Sequence, residues 1–278
     1  MRHVLLPILL TVASAWSIPA GAFAPVLVQL PGADQAELLG AWTGSGWLPA
    51  VQAAPRTRAG ETYRPVSGPA TPVTGGRAES FGDPCMSAYA VRLTPGLASG
   101  PFRLLVPGTV KGHPRPVVSV PTNNPTYREI VRAELTRRGL TGAKVNVLGV
   151  TRTDLDGNGT QEVILEAAHF AGRQGLDPPP VGMPGDYSLL LLRQVMNGRV
   201  VTTVLGEHLA PRTPWDPGSD QPMPMATLYR LAGIADLNGD GRMEVVTFGA
   251  YYEGYALDVN EWRSGSGLKS RLQGGCGV

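Results

Sequence analysis

Two segments of this chain, residues 154–162 and 236–244, carry oxygen-bearing side chains at a spacing that can enclose a hard metal ion. Positions 1, 3, 5 and 9 of both segments are Asp, Asn or Glu, and position 6 is Gly, which permits a sharp turn. The side chains are Asp154, Asp156, Asn158 and Glu162 in the first segment, and Asp236, Asn238, Asp240 and Glu244 in the second. Each segment holds three carboxylates, whose mutual repulsion a divalent cation would relieve. Flexible oxygen cages suit calcium better than magnesium, so the spacing predicts two calcium ions.

The same residues permit a second interpretation, in which both segments are turns that bind no metal. Asp, Asn and Gly are common turn formers, because their side chains or backbones favour turn conformations. Two copies with matching spacing, each placed between apolar runs, favour the metal-binding interpretation.

The flanking residues distinguish both segments from EF-hand loops. An EF-hand needs Glu at position 12 and a helix on each side, whereas position 12 here is Leu165 or Thr247. The flanks are short, partly β-branched runs, such as residues 145–150 before the first segment and 245–248 after the second. Such runs predict strands, so each segment should join two strands.

Residues 143–275 resemble FG-GAP repeats, also called VCBS-type repeats, which occur in integrin alpha-chain β-propellers and in many bacterial secreted proteins. The resemblance rests on the two segments and on the hydrophobic strand that follows Glu162 and Glu244. It implies that each segment binds calcium between the first two strands of a propeller blade, with the backbone carbonyls of Thr160 and Arg242 as further ligands. Integrin loops carry Asp at position 9, so the two Glu residues depart from that pattern.

The repeat extends beyond the metal loops. Each unit reads as strand, metal loop, strand, long loop, strand, hairpin turn and strand. The hairpin turns are Asn197-Gly198, a strong two-residue signal, and Ser264 to Gly267. Four antiparallel strands make one propeller blade or one small meander. The predicted fold is therefore mainly β, with antiparallel propeller-like blades and cation loops between strands, plus one short α-helix.

The predicted domain organisation has two parts. Residues 23–120 contain strand-like runs without a metal loop and predict a β-rich N-terminal module, in which Thr43 to Gly46 forms a hairpin turn. Residues 121–278 hold the helix and the two repeat units. Asn124 is a good N-cap for this helix, and the Pro that follows suits its first position. We interpret the Arg residues of the helix as a solvated face rather than an anion site.

The predicted location is secreted, periplasmic or in the cell envelope. Residues 1–22 are typical of a signal peptide, with Arg2 before an apolar stretch and a cleavage site after Ala22. The apolar stretch is too short for a membrane span. The two cysteines, Cys85 and Cys276, both remain after processing, and an oxidising compartment favours a disulfide between them over two free thiols.

The residues outside the metal loops give no catalytic motif. His113, His169 and His208 lack metal-site spacing, and Glu253 lies beside two Tyr residues whose simplest role is packing. The formal net charge of +2 over 278 residues does not favour nucleic acid. The sequence thus predicts an exported, calcium-stabilised binding or structural module without its own catalysis. The alternative is an envelope-associated hydrolase in which calcium is structural.

Partner binding is predicted at the end opposite the metal loops. Successive loops of an up-and-down sheet alternate ends, so the long loops 171–186 and 206–227 should share that end. Long loops on a rigid scaffold are common binding elements, and Trp215 is the predicted anchor for a protein or glycan partner. The alternative is that both loops are spacers.

Overall fold

The computed structural model describes residues 23–67, 71–98, 100–263 and 267–278. Within these ranges the chain is mainly β, with sixteen strands and two short α-helices. Neither helix in these ranges is long and apolar enough to cross a membrane. The predicted signal peptide, residues 1–22, and most of the predicted turn at 264–267 lie outside the described residues.

The N-terminal strands close into a six-stranded antiparallel barrel. Its strands, with β3 as a short extension, are β1 Ala24–Gln29, β2 Gln35–Trp42, β3 Trp47–Pro49, β4 Glu61–Pro65, β5 Val73–Ser80, β6 Tyr89–Thr94 and β7 Arg103–Pro107. The hydrogen-bonded order is β1-β7-β4-β5-β6-β2, and pairing of β1 with β2 completes the ring. Leu27, Leu38, Tyr63, Val91 and Leu105 belong to the core cluster of the barrel.

The β-rich character of this region is confirmed, but its strands are not arranged as propeller blades, and the described residues show no propeller. Register shifts in β1, at Val26/Leu27, and in β5, at Gly75/Ala78, bend the strands. Bulges of this kind allow a small sheet to curl and close, which removes exposed edges. A second short helix, α1 Ala50–Ala53, follows β3 and differs from the single helix predicted.

Five strands between residues 118 and 209, which include the predicted first repeat unit, form an antiparallel sheet that we call sheet one. Its strands are β8 Val118–Ser119, β9 Val147–Thr153, β10 Glu162–His169, β11 Tyr187–Met196 and β12 Arg199–Leu209, in the order β12-β11-β10-β9-β8. The predicted helix is α2 Pro125–Arg137. The Asn124 side chain accepts a hydrogen bond from Thr126 N at 3.0 Å, which confirms the N-cap. Val131 and Leu135 bury the inner face of α2 against sheet one.

The strands of the predicted second repeat unit form a four-stranded meander, which we call sheet two. Its strands are β13 Leu228–Ala235, β14 Glu244–Tyr251, β15 Gly254–Arg263 and β16 Gly267–Gly277, paired in chain order. One face packs on sheet one, where Leu190 and Ile164 meet Ile234 and Trp262. The other face packs on the barrel through a larger cluster that includes Leu257. Sheet two is therefore the central layer of the molecule.

A disulfide and a hydrogen-bonded carboxylate join the N-terminal region to β15 and β16. The predicted disulfide between Cys85 and Cys276 is confirmed, with a Cα–Cα distance of 5.3 Å across 191 residues of sequence. Disulfides of this kind are typical of oxidising compartments. Glu37 of β2 accepts hydrogen bonds from the Tyr255 hydroxyl at 2.7 Å and from Gly275 N at 2.5 Å. Burial raises the pKa of Glu37.

Candidate metal loops

Both predicted metal segments connect neighbouring antiparallel strands, as the sequence suggested. The segment at 154–162 joins β9 to β10, and the segment at 236–244 joins β13 to β14. Thr153 pairs with Glu162, and Ala235 pairs with Glu244. Each Glu therefore belongs to the strand pair that directly adjoins its loop. We call these connections the first and second cation loops. No helix flanks either loop.

The first residue of each cation loop accepts hydrogen bonds from the loop backbone. Asp154 accepts from Gly157 N at 2.7 Å and from Gly159 N at 2.9 Å. Asp236 accepts from the corresponding N–H groups of its own loop, at 2.7 and 3.0 Å. Both donors in each loop are Gly with φ between 75° and 85°. That conformation is strained for other residues, which explains why Gly recurs at positions 4 and 6.

The Glu at position 9 also has the same role in both loops. One carboxylate oxygen of Glu162 accepts from Leu155 N at 2.8 Å, and Glu244 accepts from Leu237 N at 2.8 Å. The longer side chain therefore folds back under the start of its loop. This contact gives a physical reason for Glu where integrin loops carry Asp.

The two loops differ in how closely their acids converge. In the first loop, ligand oxygens of Asp154, Asp156 and Glu162 all lie within 4.8 Å of one another. Among the described residues, no other group of three or more acidic, His or Cys side chains meets that distance. In the second loop, position 3 is Asn238, whose side-chain N–H donates to Glu244 at 3.2 Å. The carboxylate and amide oxygens of the two loops are ligands that suit a hard cation such as calcium.

Burial raises the pKa of several of these carboxylates. Desolvation is the main cause that raises the pKa of Glu244 well above its ordinary value, and the nearby Asp236 and Asp240 add to it. Desolvation also raises the pKa of Glu162 and of Asp236. Buried anions are normally paired or bound to a metal. Among the described residues, the one ion pair between a loop carboxylate and a basic side chain joins Arg115 Nε to an Asp154 oxygen at 3.9 Å.

Sequence reasoning missed a segment that runs beside both loops. Gly112 O accepts from Asp236 N at 2.6 Å, and the His113 ring Nε2 lies 2.7 Å from Ile234 O. Two residues after His113, Arg115 donates to the backbone oxygens of Asp154 and Leu155. The loops also touch directly, because Met243 N donates to Leu155 O at 2.9 Å. No local spacing signals these long-range contacts.

The other residues considered for chemistry lie apart from one another. His113 lies beside the second cation loop, whereas His208 packs on Phe170 with ring centroids 6.0 Å apart. Burial lowers the pKa of His208, and its buried Nε2 has no partner among the described residues. His169 lines a cavity of about 750 Å³ beside the loop at 171–186. Glu253 lies in the tight β14–β15 turn.

The two long loops share one end of the sheets, as predicted. Val181 bridges to Met225, and Ala226 N donates to Pro180 O at 3.1 Å. The loops lie at the opposite end of the strands from the cation loops, because they follow β10 and β12. Trp215 is half-buried, and its indole N–H donates to Gln221 O at 3.2 Å within its own loop.

Comparisons of this chain with known protein families, with curated proteins and with solved structures find no match.

Proposed function

We propose that this protein is an exported, calcium-stabilised binding module of FG-GAP type. In this proposal sheets one and two are propeller-like blades, and each cation loop holds one calcium ion. The ligands are the side chains at positions 1, 3, 5 and 9 and the carbonyl at position 7. They are Asp154, Asp156, Asn158, Thr160 and Glu162, and Asp236, Asn238, Asp240, Arg242 and Glu244.

One observation carries the proposal. Two loops separated in sequence hold their carboxylates in the same hydrogen-bond pattern, with Glu162 and Glu244 both buried and without a basic partner in the described residues. A metal-free turn needs no buried Glu at its last position, and burying an unpaired carboxylate costs free energy. A divalent cation at each loop supplies the missing counter-charge.

The proposal is tested by calcium titration combined with thermal unfolding. Extracellular modules bind calcium with Kd values of about 0.1–1 mM. At about 1 mM calcium and a Kd of about 0.1 mM, each site adds roughly 1.4 kcal/mol of stability. We expect a clear rise in Tm with calcium, a smaller rise with magnesium, and loss of most of the rise in an Asp154→Ala, Asp236→Ala double variant.

Asp216→Ala is the matched control for the double variant. Asp216 is an exposed loop residue whose side chain accepts from Gly218 N at 2.8 Å, and it lies outside both cation loops. The control should keep the full calcium response. A wild-type Tm that does not change with calcium would leave only the interpretation as metal-free turns.

The binding part of the proposal concerns the end formed by loops 171–186 and 206–227. Their mutual contacts hold them as one surface on a rigid pair of sheets. We propose this surface as a contact for a protein or glycan partner, with Trp215 as its anchor. The test compares how much partner the wild type and Trp215→Ala retain in a pull-down. Weaker retention by the variant at an unchanged Tm would support this role, and equal retention would count against it.

A further inference from the structure

A second cavity lies where the barrel meets sheet two, on a different part of the molecule from the long loops. Its volume is about 490 Å³, within the range of small-ligand sites. Three parts of the chain line it: the β2–β3 hairpin of the barrel, the second cation loop, and the strands β15 and β16. We call it the tryptophan cavity, because Trp42 and Trp47 line one side.

The two Trp side chains form a fixed aromatic surface. Trp42 and Trp47 face each other across the β2–β3 pair, with ring centroids 5.1 Å apart and planes at 60°. The turn between them is held by Thr43 N donating to Gly46 O at 3.0 Å and Gly46 N donating to the Thr43 hydroxyl at 3.1 Å. Both rings are half-buried. Neither indole N–H donates a hydrogen bond to another of the described residues.

The lining of the same cavity also includes an organised polar group. The Glu261 side chain is only 2 % exposed and forms ion pairs with both Arg263 and Arg271. The Arg263 side chain is 49 % exposed and that of Arg271 is 20 % exposed. A buried carboxylate thus fixes two guanidinium groups, whose remaining N–H donors are available to the cavity.

The charges around the cavity balance. Arg263 and Arg271 supply two positive charges, and Glu261 with Asp240 of the second cation loop supplies two negative charges. With calcium bound as proposed, the three carboxylates of the second cation loop and the ion together still leave one negative charge, so the balance is kept and a strongly anionic or cationic ligand gains no net attraction. The cavity instead offers two Trp side chains beside planar hydrogen-bonding groups and the Ser270 hydroxyl.

We propose that the tryptophan cavity binds a neutral oligosaccharide. The C–H groups on one face of a pyranose ring are apolar and pack on Trp rings, while the hydroxyl groups at its edge accept and donate hydrogen bonds. Trp42 and Trp47 would contact the apolar face of one sugar. Arg263, Arg271 and Ser270 would bind the hydroxyl groups of the same or the next sugar.

The test is a titration of the whole protein, in calcium-containing buffer, with neutral oligosaccharides of glucose, N-acetylglucosamine, mannose and galactose. A galacturonic acid hexamer serves as an acidic probe. Tryptophan fluorescence and calorimetry measure binding. We expect saturable binding of at least one neutral oligosaccharide and weaker binding of the acidic probe. No binding of any neutral probe, or tighter binding of the acidic one, would overturn the proposal.

Three variants locate the binding. Trp47→Ala and Arg263→Gln should each weaken the affinity by about tenfold or more, as expected for anchor residues. Arg263→Gln leaves Glu261 paired with Arg271, so this variant should fold even where Trp47→Ala is destabilised. Arg132→Gln, which removes an exposed Arg of α2 that lies outside the cavity, should bind as the wild type does. Equal affinity of wild type and Arg263→Gln would overturn the assignment to this cavity.

This proposal fails or succeeds separately from the calcium proposal. Glycan binding is read from fluorescence and heat, whereas calcium binding is read from the shift in Tm. If the oligosaccharide binds but calcium does not change the Tm, only the proposed function is refuted. If calcium stabilises the protein but no neutral oligosaccharide binds, only the proposal for the tryptophan cavity is refuted.

Discussion

The first and second cation loops have the same hydrogen-bond pattern but different surroundings. In the first loop, Asp154 and Asp156 are half-buried, and Arg115 lies close to Asp154. In the second, Asp236 is 8 % exposed and Glu244 is fully buried. Among the described residues, no carboxylate of the second loop forms an ion pair with a basic side chain, and the contacts of this loop with other segments include Gly112 O and Leu155 O.

This difference shows what local sequence controls and what tertiary packing controls. The positions of Asp, Gly and Glu fix the hydrogen bonds within each loop, and these are nearly identical. The position in the fold fixes burial, because the second loop lies in the central layer between sheet one and the barrel. The second loop should therefore lose more stability when its cation is removed, since its carboxylates are less hydrated.

The largest expected difference concerns the Glu at position 9. Glu244→Ala leaves Leu237 N without its buried acceptor and opens a cavity, so we expect a loss of about 3 kcal/mol in the free energy of unfolding. Glu162→Ala removes the same contact in a more hydrated loop and should cost about 2 kcal/mol. Chemical denaturation in calcium measures both. Equal losses would show that the burial of the second loop has no energetic consequence.

The pH dependence of the calcium-free protein provides a second comparison. The pKa values of Glu244, Glu162 and Asp236 are all raised in the folded state. The folded protein then holds protons that the unfolded chain has released, so stability falls as pH rises from about 4.5 through the folded pKa values. Tm measured without calcium should therefore be higher near pH 5 than near pH 7, and calcium should reduce this difference.

Gln variants separate the contributions of the two loops. Glu244→Gln removes the buried charge but keeps an oxygen that accepts from Leu237 N, so it should flatten the pH profile more than Glu162→Gln does. Glu37→Gln is the control for general carboxylate burial, because the pKa of Glu37 is also raised and this residue lies outside the loops. A profile flattened equally by all three variants would contradict a special role for the second loop.

The loops and the disulfide could be predicted because their signals are local or unique. Nine consecutive residues contain each loop, and two cysteines allow only one intramolecular pair. The barrel could not be predicted, because it depends on pairings such as β1 with β7 that join distant segments. Strand-like alternation shows that a segment is β but does not identify its partner. Arg115 was missed for the same reason, since nothing in its neighbourhood indicates that it reaches Asp154.

Contact between the loops predicts a smaller effect, which is coupling between the two calcium sites. Met243 N of the second loop donates to Leu155 O of the first, and the segment at 112–115 contacts both loops. Ordering of one loop should help to order the other. Asp154→Ala should therefore weaken calcium binding at the second loop by about threefold, measured by calorimetry. Unchanged affinity at the second loop would show that the sites are independent.

The smallest expected effect comes from Arg115, the charged residue that only the first loop has nearby. Its positive charge opposes a cation at the first loop, but the pair is partly solvated, so the effect should be modest. Arg115→Gln should bind calcium about twofold more tightly at the first loop than Arg115→Lys does, because Lys keeps the charge. Both variants lose the guanidinium contacts to Asp154 O and Leu155 O, so their comparison isolates the charge. Calcium affinity at the second loop should be equal in the two variants. A difference at the second loop would mean that the Arg115 charge acts on both loops. The two loops would then differ in their burial alone.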